Sequence, residues 1–399
     1  MKAGTIARFS LLGTLYFAQG LPFGFFVKAV PVVLRREGYS LMQIGWTALL
    51  VLPWALKFLW APVVDKHFIR RIGRRRTWIL AMQFAATSVL ATLALLPDTG
   101  DLNVLMVATF VLNLVAATQD IATDGLAVEL LSPEERGFAN GLQVAGYRVG
   151  MIVGGAVLLA LWDDIGTRAV FAVMATLTVL SSVQVLLLRE PQTHAERAAA
   201  APLPHFFSLP GAGKILALVM LFKLGEAAAQ NMLTPMLVDL KLTNDDIAFI
   251  GAAVGFTTGM AGAVVGGTLV GRLGRRRALI VFGFGQVLAV GGYAYLAFTT
   301  PSFTELSVWA GVEHFASGMA TAALFTSMMD WSRPASSGTD YTVMASAVVI
   351  ATALPAPLWG QLGDAVGYGP YFVIASAVCL VAIAGVVLLF PVQPFLRDE

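Results

Sequence analysis

Residues 73–80 read "GRRRTWIL" and residues 274–281 read "GRRRALIV", two copies of one signature 201 residues apart in a chain of 399. Each copy follows one apolar stretch and opens the next. Arginines that stop a membrane span would explain either copy alone, but a matched pair half a chain apart points to an internal repeat. The flanking apolar runs of ~20 residues are long enough to cross ~30 Å of hydrocarbon. Composition agrees: the chain is 57% hydrophobic and 13% charged, with mean hydropathy +0.77. A soluble domain averages about 45–50% apolar and about 25% charged residues.

Read outward from the repeat, the apolar runs predict an all-α polytopic membrane protein with twelve transmembrane helices. They lie near 8–34, 42–64, 77–97, 102–130, 138–162, 168–188, 212–237, 246–270, 278–299, 304–329, 342–363 and 370–391. The stretch "REPQTHAERAAAAPLPHFFSLPG" (189–211) reads as a linker between six-helix halves 1–188 and 212–399. His194 and His205 in it are solvated linker residues. Two parallel six-span halves with a substrate site between them at mid-membrane is one known transporter architecture. Basic residues sort by loop. Lys2, Arg8, Lys66, Arg70, Arg71, Arg74, Arg75, Arg76, Arg136, Arg189, Arg197, Lys214, Arg272, Arg275, Arg276, Arg277, Arg333 and Arg397 fall on one side, while the other holds only Arg35, Arg36, Arg168 and Lys241. The positive-inside rule then puts both termini in the cytoplasm, and Trp60, Trp78, Trp162 and Trp331 near span ends form an aromatic belt. The first apolar stretch is too long for a cleavable signal. Cys379, in an apolar run, makes no internal disulfide and is a small core residue.

Charges inside the spans call for an account, because each costs roughly 2.5–3.5 kcal/mol at a bilayer centre. In "VAATQDIATDGLAVELL" (115–131), Asp120 and Asp124 stand one helical turn apart on one face. Lys57 on span 2 and Arg148 on span 5 lie at comparable depth, which predicts a charge network of Lys57, Asp120, Asp124 and Arg148. It serves either as a static clamp or as a switch in which an aspartate exchanges its basic partner for a proton. The second half carries Lys223 and Glu226 on span 7 and Glu313 and His314 on span 10. Span 1 contributes Gln19 and Lys28, the latter able to snorkel to the outer surface. Glycines recur at every fourth position in span 5 (Gly146, Gly150, Gly154) and span 8 (Gly251, Gly255, Gly259), spacing that lets helix backbones approach closely.

The loop "APVVDKHFIRRIGRRR" (61–76), with Asp65 and Lys66 before Gly73, Arg74, Arg75 and Arg76, resembles the signature loop of the major facilitator superfamily. Ala61 replaces its first glycine, and "GTLVGRLGRRR" (267–277) has Gly271 in the acidic place. "LYFAQGLPFGFF" (15–26), "LKFLWAP" (56–62), "QDIATDG" (119–125), "EERG" (134–137) and "GYRVGM" (146–151) are similar to a narrower branch. That branch holds muropeptide permeases, acetyl-coenzyme A transporter-like proteins, and rhizobactin- and pyochelin-type siderophore permeases. The resemblance implies a multi-pass protein of the bacterial inner membrane, working by alternating access as a proton symporter. Its central cavity would be lined by spans 1, 4, 7 and 10, hence by Gln19, Lys28, Asp120, Asp124, Lys223, Glu226, Glu313 and His314 as substrate or proton residues. It also implies that Asp65 latches the cytoplasmic face and that spans 5 and 8 meet across the halves.

Antiporters of the superfamily carry a proline where Met151 stands, which favours uptake over export. Chain length favours a siderophore as substrate, with a muropeptide or acyl-coenzyme A compound as alternatives, and a non-transporting membrane assembly factor as the rival from another class. The expected partners are a small solute, protons and lipid, with the chain a monomer. No phosphate loop, zinc spacing or nucleophile elbow is present, so no enzyme activity, metal or cofactor is expected, and net charge +2 gives no support for nucleic-acid binding. "SPEE" (132–135) reads as a capping box that starts a helix, which makes Glu134 and Glu135 structural.

Overall fold

The computed structural model describes residues 3–30, 34, 52–96, 102–188, 190 and 203–391. It is helical throughout, with no strand among the described residues. Every predicted span has its helix. They run α1 (Ala3–Gly24), α2 (Leu52–Leu56), α3 (Ala61–Lys66), α4 (Arg74–Leu95), α5 (Leu102–Leu130), α6 (Pro133–Met151) and α7 (Trp162–Leu187). After a short α8 (Leu203–Ser208) come α9 (Ala212–Asp239), α10 (Asn244–Ala248), α11 (Thr257–Leu273), α12 (Arg275–Ala297), α13 (Phe303–Trp331), α14 (Ser337–Ala353), α15 (Ala356–Val366) and α16 (Tyr368–Leu389). Among the described residues nine helices are long and apolar enough to cross a membrane. The long helices α9 and α13, which hold Lys223, Glu226 and Glu313, are not among them. The first part of predicted span 2, with Arg35, Arg36 and His194 of the loops, lies outside the described residues.

Two expectations needed correction. Predicted span 11 is broken between α14 and α15, where Pro355 and Pro357 each lack the N–H that a continuing helix needs. The predicted linker ends in a helix, α8, on which His205 is exposed as expected. π-Helical turns widen three spans, at Phe25–Ala29 after α1, Ile152–Val157 after α6 and Phe249–Phe256 before α11.

Contacts group the chain into two units. The first is Met1–Leu130, Ala145–Leu203 and Ser332–Val343; the second is Leu131–Val144, Pro204–Trp331 and Met344–Glu399. Each therefore borrows a short segment from the far part of the sequence. In the first unit α4 packs against α5 and α7, and α1 lies along the π-turn that follows α6. In the second, α11 packs on α13, and α16 on α9 and α12.

The repeat read from the arginines is also written in the backbone. Gly73 (φ +116°) and Gly274 (φ +77°) both precede the first residue of a span in a conformation that L side chains rarely adopt. Gly166 and Gly367 repeat the pattern at the same 201-residue interval.

The glycine stripes serve close packing within each unit. In the first unit Gly146, Gly150 and Gly154 lie against the backbone of α1, at Gly13, Phe17 and Leu21. In the second, Gly259, Gly262 and Gly266 of α11 lie against Gly318, Phe315 and Met319 of α13. Spans 5 and 8 do meet, but through Gly137 and Gly141 against Gly267 and Ala263, all within the second unit.

Candidate functional site

In the interior of the first unit, span 2 tightens into a single 3₁₀ turn at Lys57–Leu59. This sets Lys57, 2% exposed, against α5, where its Nζ pairs with Asp120 Oδ2. The ammonium also lies 5.4 Å from the centre of the Trp54 ring, a cation–π distance. Asp124, one turn along, is 1% exposed and accepts a hydrogen bond from Tyr16 Oη at 2.8 Å. Asp120 and Asp124, both buried, stand one helical turn apart on α5. Gln19 Nε2 donates to Thr123 Oγ1 at 3.0 Å, leaving the buried Gln19 Oε1 without a partner. Phe23, Trp54 and Tyr147 form an aromatic cluster beside this array.

The predicted network is thus brought together in part. Lys57 answers Asp120, while Tyr16, which the sequence reading had not singled out, answers Asp124. Arg148 is half-buried on α6. Lys28 falls on the π-turn after α1, and its side chain is outside the described residues.

The second unit has its own array. Glu226 is surrounded by donors: Lys223 Nζ at 2.5 Å, Ser317 Oγ at 2.6 Å, Gln286 Nε2 at 2.9 Å and Gln230 Nε2 at 3.4 Å. Lys223 also donates to Thr321 Oγ1 at 3.0 Å. Glu313, two turns before Thr321 on α13, is 2% exposed with His314 Nδ1 at 3.0 Å from its Oε2. That nitrogen also faces the Ala310 carbonyl oxygen at 2.9 Å.

At the arginine-rich end of the first unit, the signature loop closes on the borrowed segment 332–343. Asp65 Oδ1 accepts from Arg75 at 2.6 Å, and its Oδ2 accepts from the Thr339 amide at 2.7 Å and the Thr339 hydroxyl at 2.6 Å. Thr339 lies in the first turn of α14, so the carboxylate sits at the positive end of that helix. Arg75 also reaches Glu129 at 2.6 Å and Ser337 Oγ at 2.7 Å, and Arg74 donates to the Ala335 carbonyl at 2.6 Å. A side chain at Gly338 would come within 2.7 Å of Asp65 Oδ1. Burial alone would raise the Asp65 carboxyl, but the Arg75 and Arg74 guanidiniums and the Thr339 hydroxyl hold it below the usual range. Behind this cluster Glu190 accepts from the amides of Arg75 and Arg76 at 2.9 and 3.1 Å, capping α4. Burial outweighs those amides and raises the Glu190 carboxyl. Lys66 is exposed, and Arg76 instead ties the end of α7 through the Val185 and Leu186 carbonyls.

The second unit repeats the plan. Arg275 donates to Asp330 at 2.6 Å and to the Pro133 carbonyl at 2.5 Å, and Arg136 donates to Asp330 at 2.8 Å. Glu129, Asp330, Ser337 and Thr339 were missed in the sequence. The signal was available: the 201-residue interval of the arginines also relates Glu129 to Asp330, Pro133 to Pro334 and Gly137 to Gly338.

The family model described as Major Facilitator Superfamily matches residues 12–312 and 215–399, and the chain belongs to that family. It is 29% identical over 390 residues to the anhydromuropeptide permease of Escherichia coli strain K12, covering 96% of this chain and 79% of the relative. It is 26% identical over 385 residues to putative transporter AmpG 4 of Rickettsia conorii, covering 92% and 93%. Among solved structures it resembles the transporter FucP in the outward conformation, with TM-score 0.75, 13% identity and coverage of 97% and 100%. It also resembles the human organic anion transporter MFSD10, with TM-score 0.76, 12% identity and coverage of 96% and 99%. The architecture is accordingly the twelve-helix transporter fold.

Proposed function

We propose that this chain, a transporter of the Major Facilitator Superfamily, takes a muropeptide-like solute into the cytoplasm by alternating access, driven by protons. The observation that supports the coupling is the array on α5, where two buried aspartates one helical turn apart have a single lysine, paired with Asp120, and a tyrosine hydroxyl on Asp124. One lysine can compensate only one buried carboxylate, so in this reading the array takes up and releases a proton as its neighbours move. The substrate class rests on the likeness to a relative named as an anhydromuropeptide permease, in place of the siderophore favoured by chain length. Aromatic faces beside hydrogen-bonding groups suit an amino-sugar peptide. Tyr147 is half-buried, and its hydroxyl makes no hydrogen bond to the described residues.

With the arginine-rich end cytoplasmic by the positive-inside rule, the Asp65 cluster is a latch that releases α14 when that face opens. The test is uptake of radiolabelled anhydromuropeptide into vesicles carrying this chain, with an imposed inward proton gradient. Accumulation that collapses with a protonophore is the expected result. Uptake of ferri-siderophore but not muropeptide overturns the substrate, and accumulation indifferent to the protonophore overturns the coupling.

A further inference from the structure

The arginines of the second signature divide by use. Arg275 is spent on Asp330 and the Pro133 carbonyl, and Arg276 donates to the Val387 carbonyl at 2.8 Å. Arg272 and Arg277 are exposed, and neither bonds a protein group among the described residues. Beyond them a groove of about 910 Å³ opens between α11 with its preceding π-turn, α12 and α13. Val281 and Leu288 wall it on α12, Val254 and Thr258 on the α11 side, and Phe315 on α13. Its floor is small: a Cβ at Gly285 would meet only the Ala316 Cβ, at 3.8 Å. No charged side chain lines it, and the Thr258 and Ser307 hydroxyls are spent on carbonyls of the preceding turn. Such a lining gives a polar solute no partner and suits a hydrocarbon chain. The arginines share its register. Arg277 stands one turn before Val281 on one face of α12, and Arg272 lies on the face of α11 that carries Thr258. From Arg277 to Leu288 the helix rises ~16 Å, close to the ~15 Å of hydrocarbon in one leaflet.

We propose that this groove is a phospholipid site selective for anionic headgroups, with an acyl chain along Gly285 and the phosphate held by Arg272 and Arg277 in the leaflet at the arginine-rich end. A guanidinium presents a planar fork of donors that matches phosphate, and basic pockets between spans bind anionic headgroups. A headgroup with its own ammonium would set a third cation beside the two guanidiniums, so a phosphatidylglycerol is preferred to a phosphatidylcholine. The narrow floor and the pair of arginines at one end favour a lipid over a second copy of the chain. The lipid would lie behind α13, which turns Phe315 to the groove and Ser317 to Glu226. The first unit lacks this pairing of features. Its groove between α4 and α5 reaches α4 from Ser88 to Leu96, at the end remote from Arg74, Arg75 and Arg76.

Native mass spectrometry of the purified full chain tests it, with phosphatidylglycerol and phosphatidylcholine of identical tails titrated in separately. The wild type should bind phosphatidylglycerol the more tightly. An arginine beside an anionic headgroup strengthens binding about fivefold. Arg272→Gln with Arg277→Gln should therefore lose about 25-fold for phosphatidylglycerol and little for phosphatidylcholine. Gly285→Leu, which fills the floor, should weaken both lipids, and Leu288→Gln makes the same test if that variant does not fold. Arg70→Gln with Arg71→Gln, at exposed positions of the first unit's loop, should leave binding as it is. Equal affinity of the wild type for the two lipids overturns the proposal. So does an equal loss in the two arginine pairs, which would mark diffuse surface charge only. Undiminished binding when the floor is filled overturns the groove as the seat of the chain. A wild-type dimer that Gly285→Leu disperses gives the groove to a second copy instead.

Discussion

The two arginine-rich ends are built to one plan and differ in how dry they are. In the first unit the side chains of Arg75, Asp65 and Glu129 are 0%, 0% and 6% exposed. In the second, Arg275, Arg136 and Asp330 are 18%, 16% and 24% exposed. The first also has an acid on its loop, Asp65, that reaches the amide and hydroxyl of Thr339 in the first turn of α14. The second has no such acid: where the first unit sets Asp65 against Gly338, it sets the Gly267 backbone against Gly137. The same repeat has thus yielded one buried, charge-dense clasp and one looser, wetter contact. A buried pair broken on one side costs about 3–5 kcal/mol, whereas partly exposed pairs contribute about 1 kcal/mol or less. The clasp that holds more has more to release, which is why the Asp65 side is proposed as the latch.

That contrast can be broken by substitution. The largest effect is expected from Arg75→Met, which removes the fully buried guanidinium between Asp65 and Glu129 and leaves them only the longer Arg74 pairs at 3.3 and 3.5 Å. It should cost about 3–5 kcal/mol, seen as loss of folded protein and a lower thermal midpoint in detergent. A comparable loss is expected from Lys57→Met, because it leaves Asp120 bare in the bundle. Adding Asp120→Asn should restore much of it, since no orphan charge remains. A double variant no better than the single one would mean that Lys57 supports the fold through Trp54 rather than through the ion pair. In the second unit Arg275→Gln should cost about 1 kcal/mol or less. A loss as large as that of Arg75→Met would erase the distinction between the two ends.

The smallest effect concerns pH. The Asp65 carboxyl is lowered in the folded state, mainly by Arg75 and Arg74 acting against burial. Its contribution to stability is present above the unfolded value of ~3.9 and is lost only as pH falls through the lower folded value. Between about pH 5 and about pH 8, the difference in thermal midpoint between wild type and Asp65→Asn should therefore stay flat. A slope in that window would mean that the Asp65 carboxyl is not held ionised.

Much of this molecule was legible in the chain. Twelve spans followed from apolar length, because a bilayer admits few other solutions for a backbone that must satisfy its own hydrogen bonds. The Lys57–Asp120 and Lys223–Glu226 pairs could be expected because charges in a bundle seldom stand alone. What escaped was carried by neutral or distant partners. Tyr16 carries no charge to betray its contact with Asp124. Thr339 and Ser337 meet Asp65 and Arg75 only because a segment from far along the sequence is borrowed. Span 5 has small residues along much of its length, so spacing alone did not say which stripe meets which helix.

The central claim is that transport requires Asp65 to release the first turns of α14. It is tested most directly by a cysteine at Ser336, which is 1% exposed, in a chain whose single native Cys379 has been replaced by alanine. The measurement is the rate at which a thiol reagent labels that cysteine in membranes, with Asp65 intact and as Asp65→Asn. The account predicts slow labelling with Asp65 intact, severalfold faster labelling in Asp65→Asn, and a change in turnover larger than any change in substrate binding. Equal labelling rates together with wild-type transport in Asp65→Asn would contradict it.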